Sequence, residues 1–268
     1  MKKILIWALA VILTLAASVY QRLTGPTHPM RAQTTINGDA YKFKLTRSAS
    51  LSDGCIVSVP RHEGIDKAVI VYKKYPGNFK SDSIVMQEKG DKLVGSLPLQ
   101  PAAGKLQYYL ILYSDGNIIY SNDGNAAIVR FKGDVPGWAL IPHIVAMFLA
   151  MLLSTVALIM AVTKVGNFKK TAMWAFGVLI LGGFVFGPIV QSYAFGQAWT
   201  GWPVGYDLTD NKTLIAGICW LIAILLNLKK ERRWAVIIAS LVLLGMFTIP
   251  HSARGSEFDY ESQEVKTG

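Results

Sequence analysis

The chain has little charge and almost no cysteine. Of its 268 residues only 16% are charged and 52% are hydrophobic, which is too little charge for an ordinary soluble surface. Its two cysteines, Cys55 and Cys219, lie in segments of different character, so a disulfide framework and a Cys-X-X-Cys redox pair are excluded. A catalytic triad and a phosphate-binding loop are also missing. The composition predicts a membrane protein without catalytic residues of its own.

The formal net charge of +10 does not indicate a nucleic-acid partner. The Lys and Arg residues are divided among short loops and a β-like region, and no basic helix with interleaved aromatic residues is present. Basic loops retained in the cytoplasm explain part of the excess. We therefore expect the lipid bilayer, and another membrane or exported protein, as partners.

Long apolar runs predict five membrane-spanning helices: residues 4–19, 138–163, 171–193, 213–228 and 234–249. A helix needs roughly 20 residues to cross the ~30 Å core of a bilayer. The last two runs are short, but they can span if Lys212 and Lys229 extend toward the interfaces. The first run, within residues 1–20, is either a signal peptide or a retained anchor.

Loop charges predict the orientation of these helices. Basic residues, which favour the cytoplasmic side, occur between the second and third spans and between the fourth and fifth: Lys164, Lys169, Lys170, Lys229, Lys230, Arg232 and Arg233. Acidic residues occur in the loop between the third and fourth spans and in the tail: Asp207, Asp210, Glu257, Asp259, Glu261 and Glu264. We therefore predict a bacterial inner (cytoplasmic) membrane protein with residues 21–137 and the tail, residues 251–268, on the extracytoplasmic side.

Residues 21–137 have the pattern of a β domain. Short alternating segments separated by turn residues cover residues 40–45, 68–72, 83–86, 106–113, 118–120 and 127–131. This spacing predicts six or seven antiparallel strands in a sandwich of immunoglobulin or fibronectin type III character. The predicted fold is a membrane α-helical bundle of about five transmembrane helices with an inserted all-β sandwich. Residues 138–250 form its four-helix transmembrane domain.

The tripeptide Ile-Pro-His occurs twice, ending at His143 and at His251. In the predicted topology both histidines reach the same membrane surface. Between them in sequence lies the loop of residues 195–207, which we call the Trp-rich loop and which is uncharged until Asp207. The loop follows Gly187-Pro188, which should kink or break the third span. Its aromatic residues are also typical of the interface belt of any membrane bundle.

This arrangement resembles the membrane proteins that handle haem during cytochrome c maturation. Their extracytoplasmic loop has the form Trp-Gly-X-X-Trp-X-Trp-Asp, followed by a basic residue and Thr, with a haem-ligating His on either side. The corresponding residues here are His143, Phe195-Gly196, Trp199, Trp202, Tyr206-Asp207, Lys212-Thr213-Leu214 and His251. The spacing of the tryptophans differs, Tyr206 stands where a Trp would precede the Asp, and there are fewer helices.

The resemblance implies haem handling, and the residue chemistry suits haem b. His143 and His251 would be the axial ligands, Trp199, Trp202 and Tyr206 would line the pocket, and Lys212 and Arg254 would meet the propionates. The predicted role is electron transfer or cytochrome assembly at the extracytoplasmic face.

Three alternatives remain open from the sequence. A divalent metal ion could bind His143 and His251 together with a carboxylate from Asp207, Asp210, Glu257 or Asp259. A non-catalytic accessory or scaffold subunit, whose β-sandwich docks an exported partner, would need no cofactor. Helix breaks at Gly182-Gly183 and Gly187-Pro188 would also suit a transporter. In the tail, Arg254 could pair with Asp207 or Asp210.

Overall fold

A computed structural model describes residues 1–251 and 255–267 of the chain. The chain divides into two compact units. Residues 1–26 and 135–256, together with Thr267, form the helical unit. Residues Thr27–Asp134 and Glu257–Lys266 form the β unit. The protein therefore combines a helical part with a separate β part, as predicted at this coarse level.

The helical unit contains these elements: α1 (Lys2–Thr24), α2 (Gly137–Thr163), α3 (Phe168–Leu179), a π-helix (Ile180–Phe186), α4 (Gly187–Phe195), α5 (Leu208–Lys229) and α6 (Arg233–Thr248). Within the described residues, four helical segments are long and apolar enough to cross a membrane, namely α1, α2, the continuous segment Phe168–Phe195, and α5. This is consistent with a membrane protein. Helix α6, the predicted fifth span, has 16 residues and is about 24 Å long, so it is shorter than the others.

Small residues bring the helices close together. The buried cluster of the helical unit is rich in alanine, including Ala150, Ala157 and Ala216, and the fully buried Trp220 belongs to the same cluster. Apolar side chains gain little from leaving lipid, so membrane helices associate mainly through close packing of small residues. The many large apolar side chains on the outside of these helices are exposed to the surroundings, as a bilayer requires.

A π-helix lies within the segment Phe168–Phe195 immediately before Gly187-Pro188, and the helix continues through α4 to Phe195. Pro188 has no amide hydrogen and cannot donate to the preceding turn. The amide of Gly187 donates to the carbonyl of Gly182, five residues earlier. Gly182 and Gly183 also allow close packing, because a Cβ on Gly183 would lie 2.7 Å from Cγ2 of Thr213 in α5. The π-helix therefore lies where this segment packs closely against α5.

The β unit contains eleven strands before α2: β1 (Met30–Ile36), β2 (Asp39–Leu45), β3 (Ser48–Ser50), β4 (Cys55–Pro60), β5 (Lys67–Tyr75), β6 (Asp82–Val85), β7 (Gln87–Lys89), β8 (Lys92–Leu97), β9 (Lys105–Ser114), β10 (Asn117–Ser121) and β11 (Ala127–Lys132). One sheet has the order β3-β11-β9-β5-β6, with β10 also paired to β9. A second has the order β4-β8-β7, and β1 pairs with β2. All pairs are antiparallel except β3 with β11, which is parallel and departs from the all-antiparallel prediction.

These sheets share one hydrophobic core. Strand β9 alternates between buried and partly buried positions, and its buried side chains join those of β4 and β8 in a single cluster. Gly95 on β8 allows a close approach of strands, because a Cβ there would lie 2.6 Å from Cδ1 of Ile70 on β5. Strands that are apolar on one face therefore bury that face against one another.

The C-terminal tail adds a hairpin to the β unit, formed by β12 (Glu257–Asp259) and β13 (Glu264–Lys266). The amide of Phe258 donates to the carbonyl of Ala103, and the hydroxyl of Tyr260 both accepts from the amide of Lys105 and donates to its carbonyl. Lys105 also pairs with Glu257. Residues 257–266 of the predicted tail, residues 251–268, are thus part of the β unit.

Candidate functional site

His143 is held on α2 by a hydrogen bond to the π-helix. Its Nδ1 lies 2.9 Å from the carbonyl oxygen of Gly182. A carbonyl oxygen can only accept, so Nδ1 carries the hydrogen, and Nε2 of the neutral ring keeps its lone pair. Histidines that bind metals commonly have the other ring nitrogen fixed in this way. His143 therefore has the tautomer and the support of a ligand.

His251 follows the end of α6 and lies within electrostatic range of Lys212, His143 and Asp207. The two predicted histidines thus belong to one neighbourhood of the helical unit. His251 keeps an exposed surface, yet the protein around it lowers its pKa, first by desolvation and then through Lys212 and His143. The ring is therefore neutral at physiological pH, which is the form that binds metals.

Lys212 lies inside α5 and is only 2% exposed. Its Nζ donates a 2.7 Å hydrogen bond to the carbonyl of Ile249, which also accepts from Nε2 of Gln21 at 3.1 Å. Pro250 cannot continue α6, so this carbonyl belongs to the end of the helix, where such groups need other partners. Helix α5 begins at Leu208, before the predicted start of the fourth span at residue 213, and the Lys212 side chain reaches the end of α6.

Asp207 caps the N-terminus of α5. Its Oδ1 accepts from the amide of Thr209 at 2.7 Å. Its Oδ2 accepts from the amide of Ser256 at 2.9 Å and from the Ser256 hydroxyl at 3.3 Å. The helix macrodipole also stabilises a carboxylate at this end. Asp207 therefore joins the start of α5 to the chain that leaves α6.

Asp210, in the first turn of α5, fixes the Trp-rich loop. Its Oδ2 is close to four donors: the amide of Thr200 at 2.6 Å, the Thr200 hydroxyl at 3.0 Å, the amide of Gly201 at 3.2 Å and Nε2 of Gln191 at 3.0 Å. Asp210 and Thr200 are both buried. One buried carboxylate thus holds the middle of the loop to the middle of α4.

The three aromatic residues predicted to line a pocket lie in different environments. Trp199 stacks on Phe184 of the π-helix, with ring centroids 6.0 Å apart, and its Nε1 donates to the carbonyl of Trp202 at 3.1 Å. Trp202 and Tyr206 are 64% and 77% exposed. Only Trp199 therefore packs within the helical unit, and the other two present aromatic surface outward from an anchored loop.

The remaining predicted residues do not complete a ligand set. Arg254 lies outside the described residues, and its proposed pairing with Asp207 or Asp210 lies outside them with it. Glu257 and Asp259 belong to the β unit, where they pair with Lys105 and Lys266. Within residues 1–251 and 255–267, no group of three or more His, Cys, Asp and Glu side chains is arranged to hold a metal ion.

Sequence reasoning missed three polar partners in this region: Gln191, Thr200 and Ser256. Asp207 and Asp210 stand three positions apart, which is the spacing of a capping box, and this signal could have placed the start of α5 correctly. Nothing local indicates that Gln191 and Ser256 meet these carboxylates. Comparisons of the chain with protein-family models, curated proteins and solved structures find no match.

The site as a whole offers two neutral imidazoles beside a buried ammonium group. Neutral imidazole is a suitable axial ligand for haem iron, and Nε2 of His143 has the required lone pair. Lys212 carries positive charge, although one of its hydrogens is committed to Ile249. The two histidines are therefore suited to the predicted role of axial ligands, whereas Trp202 and Tyr206 are too exposed for the predicted role of lining a haem pocket.

Proposed function

We propose that this protein binds haem b at the extracytoplasmic face of a bacterial inner membrane, for electron transfer or cytochrome assembly. The observation that supports the proposal best is the shared neighbourhood of His143 and His251, the two histidines of the repeated Ile-Pro-His tripeptide. These residues would be the axial ligands. Haem would supply a redox-active iron, and the protein would supply the two imidazoles and their orientation.

The proposed topology has five membrane-crossing helices with α6 as the last. Helix α6 is short, but bilayers accommodate short helices at modest cost by local thinning. The basic residues between α5 and α6 favour the cytoplasmic side, and in this topology His143 and His251 would lie on the opposite side. The β unit would be an exported sandwich, and the shared core of its two larger sheets supports this.

Absorption spectroscopy tests the haem proposal directly. We expect the detergent-purified full chain to show a Soret band and, after dithionite reduction, sharp α and β bands. His143→Ala and His251→Ala should each remove most of the bound haem. A His28→Ala/His62→Ala double variant is a matched control, because both of these histidines lie in the β unit. Full haem content in both single variants would refute the assignment.

A second candidate function is favoured by the exposed aromatic residues. The backbone of the Trp-rich loop is anchored by Asp210 and by Asn211, whose Oδ1 accepts from the amide of Trp202 at 2.7 Å, while the side chains of Trp202 and Tyr206 project outward. Rigid exposed aromatic residues are typical anchors of protein interfaces. The protein would then be a non-catalytic accessory or scaffold subunit, with its β-sandwich docking an exported partner. A colourless, metal-free preparation that copurifies with a stable partner would favour it over haem binding.

A further inference from the structure

The hairpin β1–β2 has one apolar face and one basic face. Tyr41, Phe43 and Leu45 on β2 are buried in the core of the β unit. The alternating positions Lys42 and Lys44 are exposed, as is Arg31 on β1. Successive side chains of a strand point to opposite faces, so the cations of the hairpin share its outward face.

These cations are not neutralised within the β unit. Arg31 lies directly opposite Lys44, and Lys42 lies opposite the uncharged Gln33. Like charges directly opposite on neighbouring strands are destabilising. Within the described part of the chain, Arg31, Lys42 and Lys44 have no ion-pair partner. The outward face of the hairpin therefore carries a cluster of positive charges that does not stabilise the β unit.

A groove follows this basic surface. It has a volume of about 720 Å³ and is lined by Arg31, Ala32, Gln33, Lys42, Phe43 and Lys44. Three cationic side chains beside an amide suit oxygen-rich anions, because Arg and Lys donate charge-assisted hydrogen bonds to phosphate oxygens. Because the surface is a groove, side chains can contact such an anion from more than one side.

We propose that this face binds the phosphate headgroups of anionic phospholipids in the bilayer that α1 crosses. Helix α1 ends at Thr24, and the chain from Thr24 to Arg31 can span at most about 25 Å even when fully extended. The first cation of the hairpin is thus tethered close to a membrane surface. Lys and Arg side chains close to an anionic membrane surface are attracted to its headgroups. The proposal does not depend on haem binding.

Hydrogen–deuterium exchange of the full chain in nanodiscs tests the proposal. Discs of phosphatidylcholine alone are compared with discs in which phosphatidylglycerol is added in equal amount. Each cation near an anionic surface contributes about fivefold to binding, so we expect exchange of residues 30–45 to slow by roughly one to two orders of magnitude in the anionic discs. Salt at about 1 M, where the screening length is ~3 Å, should abolish the difference.

Two variants of equal charge change locate the effect. Arg31→Gln/Lys42→Gln/Lys44→Gln should lose the lipid dependence, and its hairpin should stay folded because a like-charge pair is removed. Lys80→Gln/Lys89→Gln/Lys92→Gln removes three exposed cations elsewhere in the β unit and should keep it. Equal exchange of the wild type in both disc types would overturn the proposal. So would equal slowing by inorganic phosphate in neutral discs, since the site would then bind a free anion.

Discussion

Replacing Asp210 with alanine should release the Trp-rich loop from the helical unit. The Asp210 carboxylate is the acceptor for the buried amides of Thr200 and Gly201 and for the side chain of Gln191. In Asp210→Ala these donors lose that acceptor together. A buried donor left without a partner costs about 1–3 kcal/mol. Because water can reach part of a released loop, we expect a total loss of about 3–5 kcal/mol, less than the sum of three full penalties.

Thermal unfolding of the detergent-purified protein can measure this loss. A thiol-reactive fluorophore reports unfolding through Cys219, which lies in α5, and a Cys55→Ser background makes Cys219 the reporter. One kcal/mol corresponds to roughly 2–4 °C in midpoint for a protein of about this size. Asp210→Ala should therefore unfold about 10 °C below its parent.

Two comparisons make the result specific to the carboxylate contacts. Asp210→Asn keeps one acceptor oxygen and should lie between the parent and Asp210→Ala. Asp91→Ala removes an exposed carboxylate from the β unit and should leave the midpoint unchanged. Equal midpoints for Asp210→Ala and Asp91→Ala would refute the assignment of Asp210 as the anchor of the loop.

Three further predictions concern packing, thiol chemistry and pH. A Cβ at Gly183 would lie 2.7 Å from a side-chain atom of α5, whereas one at Gly177 meets nothing within 4 Å, so Gly183→Val should lower the unfolding midpoint and Gly177→Ala should not. Burial raises the pKa of Cys55 to about 12, so iodoacetamide should label it only after unfolding, and rapid labelling of the native protein would contradict this. The hydrogen bond from Lys266, together with those from two backbone amides, lowers the pKa of Asp259 to about 2. The Asp259 carboxylate therefore stabilises the hairpin fully at any pH above the ordinary pKa of an aspartate, and this stabilisation is lost as pH falls through about 2. Amide protection in Glu257–Lys266, corrected for intrinsic rates, should survive acidification to about pH 4 and be weakened in Asp259→Asn at neutral pH.

The long helices could be predicted from sequence more closely than the strands. The long apolar run at residues 138–163 predicts a membrane-spanning helix, and α2 covers Gly137–Thr163. Strands β1 and β8 were missed because their apolar positions are weak: β1 alternates small or polar residues, and β8 has Gly95 at a buried position. In the sequence, this glycine interrupts the alternation of apolar side chains that predicts a strand. The structure shows why glycine is needed, because the side chain of Ile70 on the facing sheet leaves no room for a Cβ.

The polar contacts of the candidate site were less predictable, because they join residues distant in sequence. The apolar pattern placed the start of the fourth span at residue 213, since the residues before it are polar. In the structure those residues form the first turns of α5, where Asp207 and Asp210 satisfy amide groups. The contacts of Tyr260 with Lys105 likewise cross 155 positions of sequence. No local periodicity encodes such pairs.

The buried charges near α5 have structural explanations that leave the histidines as the chemically available groups. Asp207 and Asp210 accept hydrogen bonds from the start of α5, from the loop and from the chain after α6, and Lys212 donates to the end of α6. Buried polar groups bonded in this way stabilise and orient the helix ends. His143 differs, because its bond to Gly182 uses one ring nitrogen and sets the tautomer that leaves the other as an acceptor. Among residues 1–251 and 255–267, hydrogen bonds surround the two carboxylates and the ammonium group, which gives these charged side chains a positioning role, whereas the bond of His143 involves only Nδ1.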